Sequence, residues 1–263
     1  MKIRLGINGA AGRMGQRMVC LSREDPELAV SAALEAPGHP AQGKDVGEVC
    51  GLGPIGAPVR SEIPLGHPVD VLIDFSVPEA TLKVLPVCVD RRIPIVIATT
   101  GLSPEQRREI ESAAHHVAVL MAPNMSLSVA VLFALCRQAA ALLKDKDFDV
   151  EIVERHHRYK KDAPSGTAMQ FARIVQEVMG GELRHGREGI TGERPRGEIG
   201  MHALRVGDNV GEHTVIFSTL GETLELTHKG HTRDSYARGA LAAAKFLAGK
   251  PAGRYAMNDV LGI

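Results

Sequence analysis

No tryptophan occurs among the 263 residues and aromatics make up only 3%, so a stacking surface for nucleic-acid bases is not expected. The formal net charge is zero, which removes any overall electrostatic pull toward nucleic acid or a membrane surface and leaves only local basic pockets open. No apolar run is long enough to span a bilayer, and Met1-Lys2-Ile3-Arg4 leads straight into a strand pattern with no secretory leader. The four cysteines, Cys20, Cys50, Cys88 and Cys136, lie far apart, form no Cys-x-x-Cys and mostly sit in apolar runs. Reduced core thiols and a cytoplasmic setting follow as the expectation. No His/Cys group has the close spacing of a zinc site, and no metal is expected. What remains is an ordinary globular composition, long enough for one large or two modest domains.

The first half alternates strands with helices. Ile3-Arg4-Leu5-Gly6-Ile7-Asn8 is a short apolar strand running into Gly9-Ala10-Ala11-Gly12-Arg13-Met14-Gly15, and a helical pattern follows through Leu21. Strand, glycine turn and helix in that order are the context of a dinucleotide-binding turn, where glycines let the backbone approach a pyrophosphate at a helix N-terminus. The spacing Gly-x-x-Gly-x-x-Gly is a variant of the commoner form, and alone it also suits a plain tight turn. The next strand, Leu28 to Leu34, ends at Glu35, twenty residues after Gly15, where an acid can hold adenosine ribose hydroxyls. Residues 36–68 are rich in Gly and Pro and read as loops around short elements.

Val69–Phe75, Pro94–Gly101 and Val117–Met121 are buried-type strands, separated by helices opening at Pro78 and at the capping box Ser103-Pro104-Glu105-Gln106. Such a chain builds a parallel, doubly wound sheet that binds ligands at the carboxyl ends of its strands. The turns at Phe75-Ser76, Ala98-Thr99-Thr100 and Ala122-Pro123-Asn124-Met125 all lie on that edge.

After a long apolar helix, Leu127 to Leu143, the pattern changes. Strand runs at Met201–Val206, His213–Leu220 and Thr223–Lys229 follow without helices between them, which points to a second, smaller α+β domain on a mixed sheet. The last helix, Ser235 to about Ala248, is expected to pack back on the first domain.

Between the halves lies the densest group of reactive side chains, Glu154-Arg155-His156-His157-Arg158-Tyr159-Lys160-Lys161-Asp162-Ala163-Pro164-Ser165-Gly166-Thr167. It joins a strand at Asp149–Val153 to a helix that ends at Gly180-Gly181. Ser165 is a good N-cap, and Gly166 and Thr167 place backbone N–H groups where the helix dipole favours an anion. A histidine pair and an ammonium beside a bound carboxylate suit proton transfer. A solvated basic loop ahead of a capped helix accounts for the same residues equally well.

Other residues have simpler readings. His115-His116 ends a helix and suits its dipole. His202, His213, His228 and His231 read as surface or interface groups. Arg184, His185, Arg187 and Arg194 fall in a Gly/Arg-rich stretch, either a solvated linker or a lid over an anionic ligand.

With both motifs in view, the chain resembles the family of 4-hydroxy-tetrahydrodipicolinate reductases, historically dihydrodipicolinate reductases, of bacterial lysine and diaminopimelate biosynthesis. The resemblance runs from Ile3 to the C-terminus and is most specific in Glu154-x-His156-His157-Arg158-x-Lys160-x-Asp162-Ala163-Pro164-Ser165-Gly166-Thr167-Ala168. Gly189-x-Thr191-Gly192-Glu193-Arg194, Gly211-Glu212-His213-Thr214, Ala98-Thr99-Thr100-Gly101 and Asn124-x-Ser126 also match.

The resemblance implies a Rossmann-like domain over 1–126 completed by 237–263. It also implies a substrate and oligomerisation domain over 127–236, a homotetramer through the second sheet, and hydride transfer from NADH or NADPH to a small cyclic imine dicarboxylate. By position, His156 is the implied proton donor and Lys160 its assisting cation. His157, Ser165, Gly166 and Thr167 are implied at the substrate. Gly9, Ala10, Ala11, Gly12, Arg13, Met14 and Glu35 are implied at the pyrophosphate and ribose, with Ala98, Thr99, Thr100, Ala122, Pro123, Asn124 and Met125 around the nicotinamide.

Three departures stand out. Ala36 follows Glu35 where NADPH users often carry arginine, and a bare carboxylate repels a 2′-phosphate, so a preference for NADH is expected, offset where Arg13 reaches the phosphate. Ala11 replaces a common glycine, and Met125 a frequent aromatic. The alternatives are a dehydrogenase of another amino-acid-derived substrate, such as aspartate or homoserine, and a non-enzymatic nucleotide sensor.

Overall fold

A computed structural model describes residues 2–263. The described residues fall into two compact units, one running to Leu127 and resuming at Asp234–Ile263, the other Ser128–Arg233.

The first unit is a seven-stranded sheet with helices between its strands. In chain order it contains β1 (Ile3–Asn8), α1 (Arg13–Glu24), β2 (Leu28–Leu34), α2 (Val46–Val49), β3 (Val59–Arg60) and β4 (Val71–Asp74). Then come α3 (Pro78–Asp90), β5 (Ile95–Ile97), α4 (Pro104–Ala113) and β6 (Ala118–Met121). With β12 (Gly253–Tyr255), which the chain adds after the second unit, the strand order is β12-β6-β5-β4-β1-β2-β3, all parallel. Leu5, Ile7, Leu72, Ile73, Ile95 and Ile97 are fully buried, as strands covered on both faces require, which is why these segments read as unbroken apolar runs. The chain steps outward from β1 to β2 and β3 on one side and then crosses back to β4, β5 and β6 on the other, so the carboxyl ends of β1 and β4 flank the switch point where such sheets bind ligands. The capping box at Ser103 and Gln106 forms as its spacing predicts.

The second unit begins one residue into α5 (Leu127–Leu143) and holds β7 (Asp149–His156), α6 (Gly166–Met179), β8 (Glu182–His185), β9 (Glu198–Arg205), β10 (Gly211–Thr219) and β11 (Glu222–Gly230). Its sheet runs β11-β10-β7-β9-β8, antiparallel at β11/β10 and β10/β7 and parallel at β7/β9 and β8/β9. The sheet is therefore mixed, with α6 as the crossover between parallel strands. Phe171, Ala172 and Val175 of α6 pack on Val150 and Ile152 of β7 and on Val215 and Phe217 of β10.

The chain then returns to the first unit as α7 (Asp234–Leu247), β12 (Gly253–Tyr255) and α8 (Met257–Leu261). Arg17 of α1 holds Asp234 at 2.7 Å. A Cβ on Gly239 would lie 1.7 Å from Met125 O, so α7 is pressed against the loop that follows β6.

Candidate active site

In the first unit the glycine turn is built by close approach. Gly9 has φ +81, and a Cβ there would stand 2.6 Å from Phe75 O. On Gly15 a Cβ would be 2.1 Å from Gly9 O, so only glycine lets α1 start this close to β1. Gly9 N and Ala10 N donate to Leu34 O at 2.9 and 3.0 Å, which seats the turn across the end of β2. The N-cap of α1 is Gly12, with no side-chain cap, so the dipole end of the helix is presented uncovered, as a pyrophosphate needs.

The expected ribose acid meets the turn: Ala11 N donates to Glu35 Oε1 at 2.8 Å. Arg13 is exposed at the start of α1, and Met14 is partly buried. A cavity of about 320 Å³ opens beside Glu35, Ala36 and Pro37, its lining including the apolar side chains of Leu34, Val77 and Val84. A second, of about 410 Å³, is lined by Ala11, Gln16, His39 and Lys44.

At the same edge, Asp74 is wholly buried at the end of β4 and accepts from Asn8 Nδ2 (2.8 Å), Ser76 Oγ (2.5 Å), Thr81 Oγ1 (2.5 Å) and Thr99 Oγ1 (2.7 Å). This network ties the ends of β1, β4 and β5 together. Thr99 and Ala98 are buried behind it, whereas Thr100 is exposed. Ala122 and Asn124 are partly buried and Pro123 is exposed; Asn124 Oδ1 accepts from Ser126 N at 2.9 Å, and Met125 is 1% exposed. Sequence reasoning misses Asp74 because its partners span 73 positions, from Asn8 to Thr81, and beyond to Thr99.

In the second unit strand alternation assembles the site. In β7, Val150, Ile152, Glu154 and His156 share the buried face, since side chains two apart point the same way. Glu154 and His156 therefore meet: His156 Nδ1 lies 2.6 Å from Glu154 Oε2. From β9, Arg205 clamps both Glu154 oxygens at 2.9 and 2.8 Å, and Ser165 N donates to Glu154 Oε1 at 3.0 Å. Burial pushes the Glu154 carboxyl up, but its bonds from His156 and Arg205 outweigh that and hold it at about 2. An ionised carboxylate only accepts, so His156 Nδ1 carries the hydrogen and donates. His156 Nε2 has no partner among the described residues and is not sealed from solvent.

Around this pair the field is positive. Burial first, then the charges of Arg233, His156, Lys160 and Arg205, hold the His157 imidazole below its ordinary value, and its Nδ1 is buried without a partner. Lys160 Nζ rests on Asp162 at 2.9 Å. Asp162 is 63% exposed, so this bond is worth no more than about 1 kcal/mol and a bound anion can replace it. Gly166 opens α6, and a Cβ added there would meet nothing within 4 Å, which leaves the helix's N-terminal turn accessible. Ser165 itself is buried: its hydroxyl caps Ala168 N at 3.2 Å and meets His213 Nε2 at 3.2 Å. The structure thus brings His156, His157, Lys160, Ser165 and Gly166 onto one strand-to-helix corner.

Two sequence readings require correction. His213 and His228 are not surface groups. They are 1% and 8% exposed, directly paired across β10 and β11, and His213 stands opposite Glu154 with its ring 5.2 Å from that of His156. The alternation that buries Val215 and Phe217 buries His213 as well. The lid reading of the Gly/Arg-rich stretch also fails for Arg184, Arg187 and Arg194. Arg184 is bound to Glu198 at 3.5 Å, Arg187 to Glu151 at 2.6 Å and to Glu198, and Arg194 to Asp149 at 2.5 Å and Glu151 at 3.2 Å, so their charges are spent within the sheet. Among the described residues no group of His, Cys, Asp and Glu is arranged to hold a metal, and no helix is long and apolar enough to cross a membrane.

Comparison with known proteins gives a consistent result over the whole chain. The family model "Dihydrodipicolinate reductase, N-terminus" matches residues 3–125, and "Dihydrodipicolinate reductase, C-terminus" matches residues 128–261. A 4-hydroxy-tetrahydrodipicolinate reductase of Geotalea uraniireducens is 46% identical over 266 residues, covering 99% of both chains. That of Geobacter sulfurreducens is 45% identical over 265 residues with the same coverage. Among solved structures, a dipicolinate-bound dihydrodipicolinate reductase from Paenisporosarcina sp. TG-14 superposes with a TM-score of 0.76 at 26% identity, over 97% of this chain and 98% of that one.

Proposed function

The chain belongs to the dihydrodipicolinate reductase family, and from that premise we propose how its own residues carry out the reaction. It is an NAD(P)H-dependent oxidoreductase that reduces 4-hydroxy-tetrahydrodipicolinate, or its dehydrated form, to tetrahydrodipicolinate on the route to diaminopimelate and lysine. The observation that carries the assignment of roles is the corner of the second unit, where an oriented imidazole and an ammonium stand on the loop that leads into the start of α6.

The turn Gly9–Met14 holds the pyrophosphate, Glu35 the adenosine ribose, and the cavity at Ala36 and Val84 the adenine. Ala98, Thr99, Thr100 and Ala122–Met125 surround the nicotinamide. Gly9 and Gly15 fit this cradle because a Cβ at either position would collide with backbone oxygens. The nicotinamide supplies the hydride. Substrate carboxylates rest on His157 and on the N–H groups at Gly166 and Thr167, with Ser165 shaping that turn from beneath. Hydride addition leaves the ring one proton short, and His156 Nε2 supplies it while Lys160 stabilises the developing negative charge.

The Glu35 carboxylate, with Ala36 after it and no arginine, supports a preference for NADH over NADPH. The setting is the cytoplasm, where reduced nicotinamide and four thiols persist together. The assembly is a homotetramer through the second sheet, whose strands carry exposed Leu204 and Leu224, apolar surface suited to another copy.

The test supplies the purified protein with NADH and the product of a dihydrodipicolinate-forming synthase, and follows loss of nicotinamide absorbance. Turnover that requires the synthase product supports the assignment. Turnover with aspartate or homoserine and NAD instead would establish the alternative dehydrogenase, and nucleotide binding without either would leave a sensor.

A further inference from the structure

His156 alone does not explain why a fully buried carboxylate lies beneath it. Glu154 is 0% exposed and takes four hydrogen bonds, from His156 Nδ1, both Arg205 amino groups and Ser165 N. A buried ion pair of this kind adds little net stability over apolar packing. Resting on the reading of His156 as proton donor, we propose that Glu154, seated by Arg205, is the positioning residue of the reaction: it keeps hydrogen on Nδ1, presents Nε2 to the substrate and supports the ring while it carries its second proton.

Three observations converge on this role. The ring is held at its back nitrogen by an acceptor that cannot donate, so a single tautomer is allowed and the free nitrogen is always the one facing outward. The charges also fit. Glu154 and Arg205 cancel while the ring is neutral, and protonating the ring leaves one excess positive charge, which a bound dicarboxylate offsets.

The third observation is Arg205 itself. It donates to Asp162 O at 2.6 Å, so the guanidinium that seats Glu154 also fixes the loop bearing Lys160. Of the other groups nearby, His213 on β10 stands 5.2 Å from the ring, and the charges of His156 and Lys160 are felt at both His157 and His213. His213 is held neutral by burial and by the charges of His156 and His228, down to about 3, so it adds no competing charge at working pH.

The experiment compares wild type, Glu154→Gln and His156→Gln in the full-length protein, measuring kcat against pH, NADH binding and the imidazole N–H proton resonances. In Glu154→Gln, kcat is expected to fall about 10- to 1000-fold. NADH affinity is expected to stay unchanged, and the alkaline limb of the kcat profile to move at least about one pH unit lower. An unshifted limb with near-normal kcat overturns the proposal, because a merely structural carboxylate would leave the limb in place.

Where Glu154→Gln fails to fold, the wild-type spectrum decides. A far-downfield N–H proton that vanishes in His156→Gln supports the carboxylate-bound Nδ1–H, and its absence overturns it. Full turnover by His156→Gln would instead remove His156 as the donor, a failure of the functional reading distinct from a failure of the role given to Glu154.

Discussion

Thr99 Oγ1 donates to Asp74 Oδ2 at 2.7 Å, a bond between the carboxyl ends of two neighbouring parallel strands, with Ser76, Thr81 and Asn8 completing the ring of donors. Asp74→Ala removes the shared acceptor and leaves several buried donors unsatisfied. A loss of about 3 kcal/mol in unfolding free energy is expected, together with weaker NADH binding, since the carboxyl edge of the sheet loses its brace. Urea denaturation and a binding titration measure the two effects. An Asp74→Ala protein as stable as wild type would show the network to be incidental.

Gly15→Ala tests the close approach of helix to strand. Its added methyl would stand 2.1 Å from Gly9 O and 2.6 Å from Ala10 Cα, both backbone atoms that cannot rotate aside. NADH affinity is expected to drop at least about tenfold, with the second unit's substrate corner undisturbed.

Much of this is legible in the residues, and the exceptions have physical causes. The parallel strands announce themselves because burial on both faces demands unbroken apolar runs such as Val71–Asp74 and Ile95–Ile97. Edge strands carry no such mark. β8 is Glu-Leu-Arg-His, mostly exposed and joined to β9 by its backbone, and β12 is three residues long; neither has a periodicity to read. The central loop is identifiable by its reactive side chains, but the partner that orients it is not, since Arg205 lies 51 positions from Glu154. Treating histidine as a surface residue misplaces His213, although its strand's alternation sets it beside Val215 and Phe217.

Acid should weaken the fold through His213 and Glu154. Burial, then the neighbouring charges of His156 and His228, hold His213 near 3, so between about pH 6.5 and 3 the unfolded chain takes up a proton that the folded chain refuses. Stability therefore falls as pH drops through that window, by up to about 1.4 kcal/mol per pH unit. Glu154, held at about 2, adds a further loss below about pH 4.3. Urea midpoints at a series of pH values should show a smaller slope between pH 6.5 and 4.5 in His213→Gln than in wild type; equal slopes would contradict this assignment.

Cofactor choice follows from Glu35 and Ala36. The ratio of kcat/KM for NADH to that for NADPH is expected to exceed one. Ala36→Arg should raise kcat/KM for NADPH by about tenfold by supplying a cation for the 2′-phosphate. A wild-type advantage for NADPH would refute the preference and turn attention to Lys44 and His39, which line the cavity beside Ala11.

The most direct test of the account is the synthase-coupled assay run on wild type and Lys160→Ala under identical conditions. Wild type is expected to consume NADH only when the synthase product is present, and Lys160→Ala to lose about 100-fold or more in kcat while still binding NADH. Turnover by Lys160→Ala close to that of wild type would contradict the central claim that this corner of the second unit performs the chemistry.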